Sequence, residues 1–494
     1  MKKIAIFITS AYLFCTNLHA QEQLGIRTSN YGGINSLLLN PANSHTTPFA
    51  WDANLLEFGQ FFDNNYAFIE NFRLLDLLQN PEGVELRSLL REANKEPAPN
   101  TIVVDFYFND QKKYATNSTQ VLGPSLMLRL NEDNTVGFFT RARAAVDARD
   151  VPSSLGYYEY NRQPFEEPLL VEPTHGNALS WTEIGLNYAR RAYNDYGEMS
   201  FGASLKFLQG YEAIYMRNNS NFDLTQLREN RLRGTSVDFS YGFASAGLDS
   251  EEWQLQRNGI GAGLDLGFVF SFSEEEDGPY RWKVGASILD LGLIRFNRAA
   301  QKHEIRTNDI QEISLDIYNQ FSNAADLDSI LSLFSEQLLN DPSASLQATS
   351  FAMGLPTALS AQADINVLPS FFVNAAIVQS VPVQKIAIRR NNIAAITPRF
   401  EQRWFELAVP ISLLDWQQLR VGVAARIAFF WFGTEDFNSV FKKSEFNSAD
   451  FYMAIKINPF SFTKNGKEHR SGWQGRGKGR LKTRGNGDVK CPTF

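Results

Sequence analysis

Cysteine is almost missing from this chain of 494 residues: there are two, Cys15 and Cys491. Cys15 falls in an N-terminal leader, so a disulfide framework and a multi-cysteine metal site are both excluded. Histidine is scarce as well, with five in all, and no G-x-S-x-G, P-loop or HExxH spacing occurs. The expectation is therefore no enzyme, no cofactor and no metal. Long apolar runs are missing after residue 20. The nearest, 365–384, carries no charge but contains Asn366, Pro369, Asn374, Gln379 and Pro382. With a turn at Leu368-Pro369-Ser370 it reads as two strands rather than one membrane helix. The mean hydropathy of −0.27 argues against a helical membrane bundle. A barrel stays open, because only every second residue of a barrel strand faces lipid.

Phenylalanine, in contrast, is abundant, with 39 residues. The first twenty residues read as a secretory signal peptide: Lys2 and Lys3, an apolar stretch from Ile4 to Phe14, and a small residue at Ala20. The bulk of Phe14 argues against Cys15 as a lipoprotein acylation site. The net charge of −7 conceals an asymmetry, since residues 464–494 hold nine Lys/Arg against Glu468 and Asp488. That tail is +7 and everything before it −14. It is Gly-rich and basic, which predicts a disordered periplasmic segment.

Alternation with period two dominates the middle of the chain. Over 136–149 one face is Val136, Phe138, Thr140, Ala142, Ala144, Val146 and Ala148, and the other carries Arg141, Arg143, Asp147 and Arg149. Stretches 199–207, 260–273 and 419–431 repeat the scheme. These strands run about 9–14 residues, whereas soluble strands average roughly 5–6 and a membrane crossing needs about 9–11. An Arg at the lipid midplane would cost roughly 2–4 kcal/mol, so the charged face must line the lumen. Parity places Arg141, Arg143, Asp147, Glu183, Lys206, Asp265, Arg420 and Arg426 there.

The fold class expected is all-β, a transmembrane antiparallel β-barrel of 14 strands, with 16 as the alternative. Candidate strands fall near 50–59, 63–71, 100–109, 119–131, 134–149, 180–194, 197–212, 232–244, 258–273, 280–296, 355–367, 370–381, 397–412, 417–432 and 449–462. Short turns such as Asn131-Glu132-Asp133-Asn134 and Asn194-Asp195-Tyr196-Gly197 mark the periplasmic end, and long connections the extracellular one. Two inserts, 71–94 and 324–339, read as helical from their leucine stripes.

Before the barrel, residues 25–47 hold the turn formers Gly32-Gly33 and Asn40-Pro41-Ala42 around the apolar run Leu37-Leu38-Leu39. A segment this short cannot build its own core, so it is either a disordered leader or a plug inside the lumen. Here the sequence resembles the long-chain fatty-acid transporter (FadL-type) superfamily of outer-membrane barrels, whose N-terminal hatch carries Asn-Pro-Ala at this place. It resembles more closely an uncharacterised barrel family of Bacteroidetes-type bacteria, through Asn30-Tyr31-Gly32-Gly33, Leu39 to Ala42, Gly263-Leu264-Asp265-Leu266-Gly267, Leu289-Asp290-Leu291-Gly292, Leu355-Pro356-Thr357 and Pro398-Arg399-Phe400. The resemblance implies a fourteen-stranded barrel plugged by its N-terminal segment. It also implies passage of hydrophobic molecules, released by hatch movement or at a strand kink. Pro124 and Pro410 are candidate kinks, since proline removes a ladder hydrogen bond.

The division expected is therefore a signal peptide over 1–20, a hatch over 21–47, a barrel over 48–463 and the basic tail over 464–494. The function expected is a FadL-like outer-membrane channel for small hydrophobic molecules, the alternative being a sealed structural or interaction subunit of a larger envelope assembly. Expected partners are outer-membrane lipid and lipopolysaccharide, with an envelope protein or peptidoglycan meeting the tail. No nucleic acid is expected.

Overall fold

The computed structural model describes residues 22–79, 81–155, 164–194, 197–245, 256–273, 280–320 and 327–459. The expected signal peptide and basic tail lie outside the described residues. Fourteen antiparallel staves close into a barrel. In chain order they begin with β1 (Trp51–Asn64), β2 (Lys113–Leu122 continued by Ser125–Arg129), β3 (Asn134–Val151), β4 (Thr174–Asn194) and β5 (Gly197–Asn218). The far wall is β6 (Gly259–Phe272), β7 (Trp282–Phe296), β8 (Phe351–Gly354 and Ala358–Leu368), β9 (Phe371–Ser380) and β10 (Ile393–Glu401). The circuit ends with β11 (Phe405–Ala408 and Ile411–Leu414), β12 (Gln418–Val421 and Val423–Ile427), β13 (Phe430–Thr434) and β14 (Ser448–Ile457). Each stave pairs with its neighbour, and β1 pairs β14 from Ala53↔Ile457 to Asp63↔Ser448. Closure leaves no edge, which is what lets strands cross a membrane with every backbone group satisfied.

Period-two alternation decides inside from outside. Leu205 is 66% exposed, while the neighbouring Lys206 is 3% exposed. Leu186, Ile396, Leu419 and Met453 continue the outward apolar band, and Arg399, Arg426 and Lys456 point inward. Among the described residues no helix is long and apolar enough to cross a membrane. Turns at one end are short. At 131–134 the Asn131 side-chain oxygen accepts from the backbone of Asp133 and Asn134, at 3.0 and 2.9 Å, so the residue that starts the turn also holds it.

Several strand expectations need correction. The stretches 63–71 and 100–109 join a small sheet beyond the barrel (Ala67–Phe72 with Thr101–Phe106), and 232–244 extends the wall above the band. The stretches 397–412 and 417–432 are each two staves. The second contains a turn at Ala428-Phe429, with Ala428 at φ 53°; an apolar turn carries no composition signal. Twelve surviving candidates and two splits make the fourteen. The insert at 71–94 is only partly helical, holding a 3-10 turn (Leu74–Gln79), a strand (Gly83–Leu86) and a short helix (Arg87–Glu92). The insert at 324–339 is a helix over Leu327–Leu339.

Strand breaks fall at Gly123-Pro124 in β2, Pro356 in β8, Val409-Pro410 in β11 and Gly422 in β12. The breaks in β11 and β12 face each other, Gly422 donating its backbone N–H to the Pro410 carbonyl at 2.7 Å.

Candidate functional site: the hatch and the lumen lock

Residues 22–47 run inside the barrel as α1 (Leu24–Arg27), a 3-10 turn (Gly33–Leu38) and α2 (Asn43–Thr46). Their apolar side chains are divided among four patches of inner wall. Leu24 packs with Phe61, Ile393 and Leu414, Ile26 with Ala408, Trp431 and Tyr452. Ile34, Leu37 and Leu38 meet Leu122, Met127 and Phe139, and Leu39 meets Ala358 and Val378. Burying each such side chain contributes roughly 1.5–3 kcal/mol, which is how a segment without a core of its own stays ordered.

The turn formers are placed against specific groups. Gly33 has φ 56°, and a Cβ there would collide with the Asp52 carboxylate, so glycine is required both for the backbone and for the approach. Asp52 accepts from the Ile34 N–H at 2.8 Å and pairs with Lys456 at 3.1 Å. Lys456 in turn donates to the Gly32 carbonyl. Asn40 places its amide against the far wall, donating to the carbonyls of Phe268 (3.0 Å) and Ala286 (3.4 Å) and to Gln362 (3.2 Å). Its oxygen accepts from the Ala42 N–H at 3.1 Å, closing the turn through Pro41. The wall is thin here, since Gly267 offers no Cβ and one would strike Asn40 and Pro41. Asn187 donates to the Pro41 carbonyl at 3.2 Å. At the lower end His45 bonds Thr135 at 2.9 Å, and burial, with Arg129 and Arg191 nearby, pushes its pKa down to about 3.

Five of the eight parity-assigned charges meet in one cluster above the hatch. Glu183 accepts from Arg141 at 2.7 Å and Arg143 at 3.1 Å, and Lys206 pairs with Asp265 at 2.6 Å. The other three lie apart: Asp147 pairs with Arg149 (2.7 Å), Arg420 with Asp63 (2.9 Å) and Arg426 with Glu406 (3.4 Å). Asp290, absent from the parity reading, is the hub of the cluster. It is contacted by Lys206 (2.6 Å), Arg143 (2.9 Å), Arg390 (3.3 Å) and Arg141 (3.5 Å). Arg390 also pairs with Glu22 of the hatch at 3.1 Å, Glu22 with Arg27 at 3.5 Å, and Arg27 with Glu57 of β1 at 3.8 Å. The ion pairs thus run from wall to hatch to opposite wall. Five cations (Arg27, Arg141, Arg143, Lys206, Arg390) balance five carboxylates (Glu22, Glu57, Glu183, Asp265, Asp290), all buried. Breaking one partner of such a pair costs about 3–5 kcal/mol, so the lock resists partial opening.

A second missed feature is apolar. Trp181, Leu208, Tyr215, Ile294, Phe296, Phe351, Met353 and Ile388 form a buried layer on the long-loop side of the charges. Two voids beside the hatch and the charges measure about 20 Å³ each, room for a single water. Larger hollows lie outside the lumen. One of about 320 Å³ lies at the long-loop end, between Ile330, Leu331 and Phe334 of the 327–339 helix and Phe239, Tyr241 and Phe243. Another, about 510 Å³, opens on the outer face of β6–β9, lined by Leu266, Phe268, Ala286, Ile288, Leu359 and Ile377. Among the described residues no group of three or more His, Cys, Asp or Glu could hold a metal.

Residues 41–435 match a family described as "Family of unknown function (DUF5723)". No curated protein matches the chain. Solved structures with similarity include the TodX deltaS2S3 mutant monoaromatic hydrocarbon channel, at 10% identity, covering 86% of this chain and 94% of that one with a TM-score of 0.39. The Ralstonia pickettii toluene transporter TbuX shares 8% identity over 87% of this chain and 94% of its own, TM-score 0.32. A Pseudomonas aeruginosa FadL homologue shares 7% over 89% and 98%, TM-score 0.27.

Proposed function

We propose that this chain, which belongs to the DUF5723 family of unknown function, is an exported outer-membrane channel, shut at rest by its hatch, that passes small hydrophobic molecules. Residues 1–20 direct export, and the basic 464–494 tail lies in the periplasm, where phosphate or carboxylate groups of the envelope attract it. One observation carries the reading. Asn40 of the hatch bonds the carbonyls of Phe268 and Ala286, and those same two residues line the hollow that opens to lipid. Hatch and membrane-facing hollow are thus separated by one thickness of strand backbone, with no inward side chain at Gly267 and Gly285. An apolar solute leaving sideways at this point, below the ion cluster, need not displace the whole hatch, and the break at Pro356 in β8 supplies slack in this part of the wall.

The test is uptake of a labelled hydrocarbon or fatty acid by cells making the full chain. Ala361→Trp fills the hollow from its lipid-facing side, where Ala361 lies among its lining residues, and leaves the lumen untouched. Uptake above the empty-membrane background, cut several-fold by Ala361→Trp, supports the channel; no uptake by the unaltered protein overturns it. A second reading is favoured by the neutral five-against-five ion cluster: a sealed barrel whose loops or tail join a larger envelope assembly. Pull-downs with and without 464–494 test that reading, which recovery of no stoichiometric partner would contradict.

A further inference from the structure

The connection between β9 and β10, residues 381–392, lies at the long-loop end but turns down into the lumen. Residues 381–385 are exposed, and the apolar run Ile386-Ala387-Ile388 follows them. Ala387 and Ile388 are buried, Ile388 within the layer of Trp181, Phe296 and Met353. Loop backbone can leave water only where its polar groups find partners. Here Gly354 of β8 donates to the Ile386 carbonyl at 2.8 Å and accepts from the Ile388 N–H at 3.3 Å. Further along, Asn391 donates to Thr116 of β2 at 3.3 Å and accepts from Arg149 of β3. Asp415, in the β11–β12 turn, accepts from the Asn392 N–H at 2.7 Å. The loop thus crosses the lumen from β8 to β2 and β3. The void beside it, against Phe61, Thr116 and Arg143, measures about 20 Å³, so little more than a water fits past it there. The hatch fills the barrel from the short-turn end, and this loop fills it from the other.

Arg390 joins the two. Its guanidinium pairs with Glu22 of the hatch at 3.1 Å and with Asp290 of the wall at 3.3 Å. Three wall carboxylates, Glu183, Asp265 and Asp290, serve four cations, Arg141, Arg143, Lys206 and Arg390. Glu57, the remaining wall carboxylate of the cluster, has its ion pair with Arg27 of the hatch. Undocking the hatch removes Glu22 and Arg27 together, so the barrel keeps four charges of each sign. Overall neutrality does not satisfy a buried guanidinium that has lost its nearer partner and must share Asp290 with three other cations. Glu22 is therefore the charge that holds Arg390, and the loop with it, inside.

We infer that residues 381–392 are a second closure, latched to the hatch through Arg390 and Glu22, so that loop and hatch release together. Such coupling is reciprocal: whatever lifts the loop from the long-loop end loosens the hatch, and whatever draws the hatch out frees the loop. The inference rests on the hatch being the movable plug proposed above, and not on what passes it.

Trypsin digestion of the folded protein in detergent, followed by mass spectrometry of the fragments, reads both parts at once. Cleavage after Lys385 or Arg389 reports the loop and cleavage after Arg27 the hatch, each in proportion to how often that segment leaves the wall. Glu22→Gln should speed loop cleavage about tenfold, and Arg390→Gln should speed hatch cleavage by a similar factor. Arg390→Lys, which keeps the charge, should restore most of the protection. Glu22→Gln combined with Arg390→Gln should be cut no faster than Arg390→Gln alone, because both changes break one contact. Should Arg390→Gln lose the heat-dependent gel shift of a closed barrel, Glu22→Gln carries the test. Loop cleavage unchanged by Glu22→Gln, or hatch cleavage unchanged by Arg390→Gln in a closed barrel, overturns the latch, whatever uptake shows. Accelerated cleavage in a protein that takes up no hydrocarbon would support the latch and count against the channel alone.

Discussion

Asp290 sits in β7 at φ 54°, a conformation that costs an L-residue of order 1–3 kcal/mol, and four buried cations converge on its carboxylate. The strain belongs to a bulge, where the β6–β7 register shifts between Leu264 and Leu266. Lys283, Gly285, Ser287 and Leu289 face the lumen before the bulge; Asp290, Gly292, Ile294 and Phe296 face it after. Parity carried unbroken along the strand would send Asp290 to the lipid, which is why period-two reading could not find the hub of the lock. The neighbouring pattern around Asp265 is unbroken, and there parity placed the charge correctly on the inside. Asn tolerates the left-handed region, so Asp290→Asn isolates the charge from the backbone. Its expected cost is about 3–5 kcal/mol, read as a lowered urea midpoint of the refolded barrel in detergent. An unchanged midpoint would mean the cluster is already hydrated and contributes little.

Among elements, the hatch was legible in outline and not in detail. Glycine, Asn-Pro and a leucine run announced a compact segment, but a plug and a free leader have the same composition. What separates them is the wall: Gly267 opposite Asn40, Asp52 opposite Gly33, and the four apolar patches that receive its side chains. Many of these complementary positions lie hundreds of residues away in sequence, as Gly267 does from Asn40, and even the nearer Asp52 belongs to a barrel strand. Pro124 and Pro410 were readable as breaks because proline removes a donor whatever surrounds it, whereas the break at Gly422 depends on the Pro410 carbonyl it faces. His45 gives the hatch a pH dependence of definite sign. Its pKa falls from 6.5 to about 3 on docking. Above pH 6.5 both states are neutral and docking is at full strength. As pH falls from 6.5 toward 3 the free hatch takes a proton that the docked one refuses, so docking weakens. At pH 5 the loss is about twenty-fivefold relative to pH 7. Protease access to residues 22–47 should rise accordingly, and His45→Gln should flatten the difference; a wild-type profile already flat from pH 7 to 5 would contradict this.

The whole molecule shows why barrel and purpose differ in legibility. A stave must be long, apolar on one face and closed by its neighbours, and each of these leaves a mark in a single sequence. The number of staves was harder, because loop sheets alternate as staves do and the turn at Ala428-Phe429 is apolar. Whether the lumen is open depends on packing across the barrel, between the hatch, Asp290 and the layer around Trp181 and Phe296. Alternation along a strand carries no record of that. The central claim is that a removable hatch shuts an otherwise continuous barrel. Its most direct test is planar-bilayer conductance of the full mature chain beside the same chain lacking residues 22–47. The full chain should be electrically silent and the shortened one should show stable steps. Equal traces from the two proteins, silent or open, would contradict the claim.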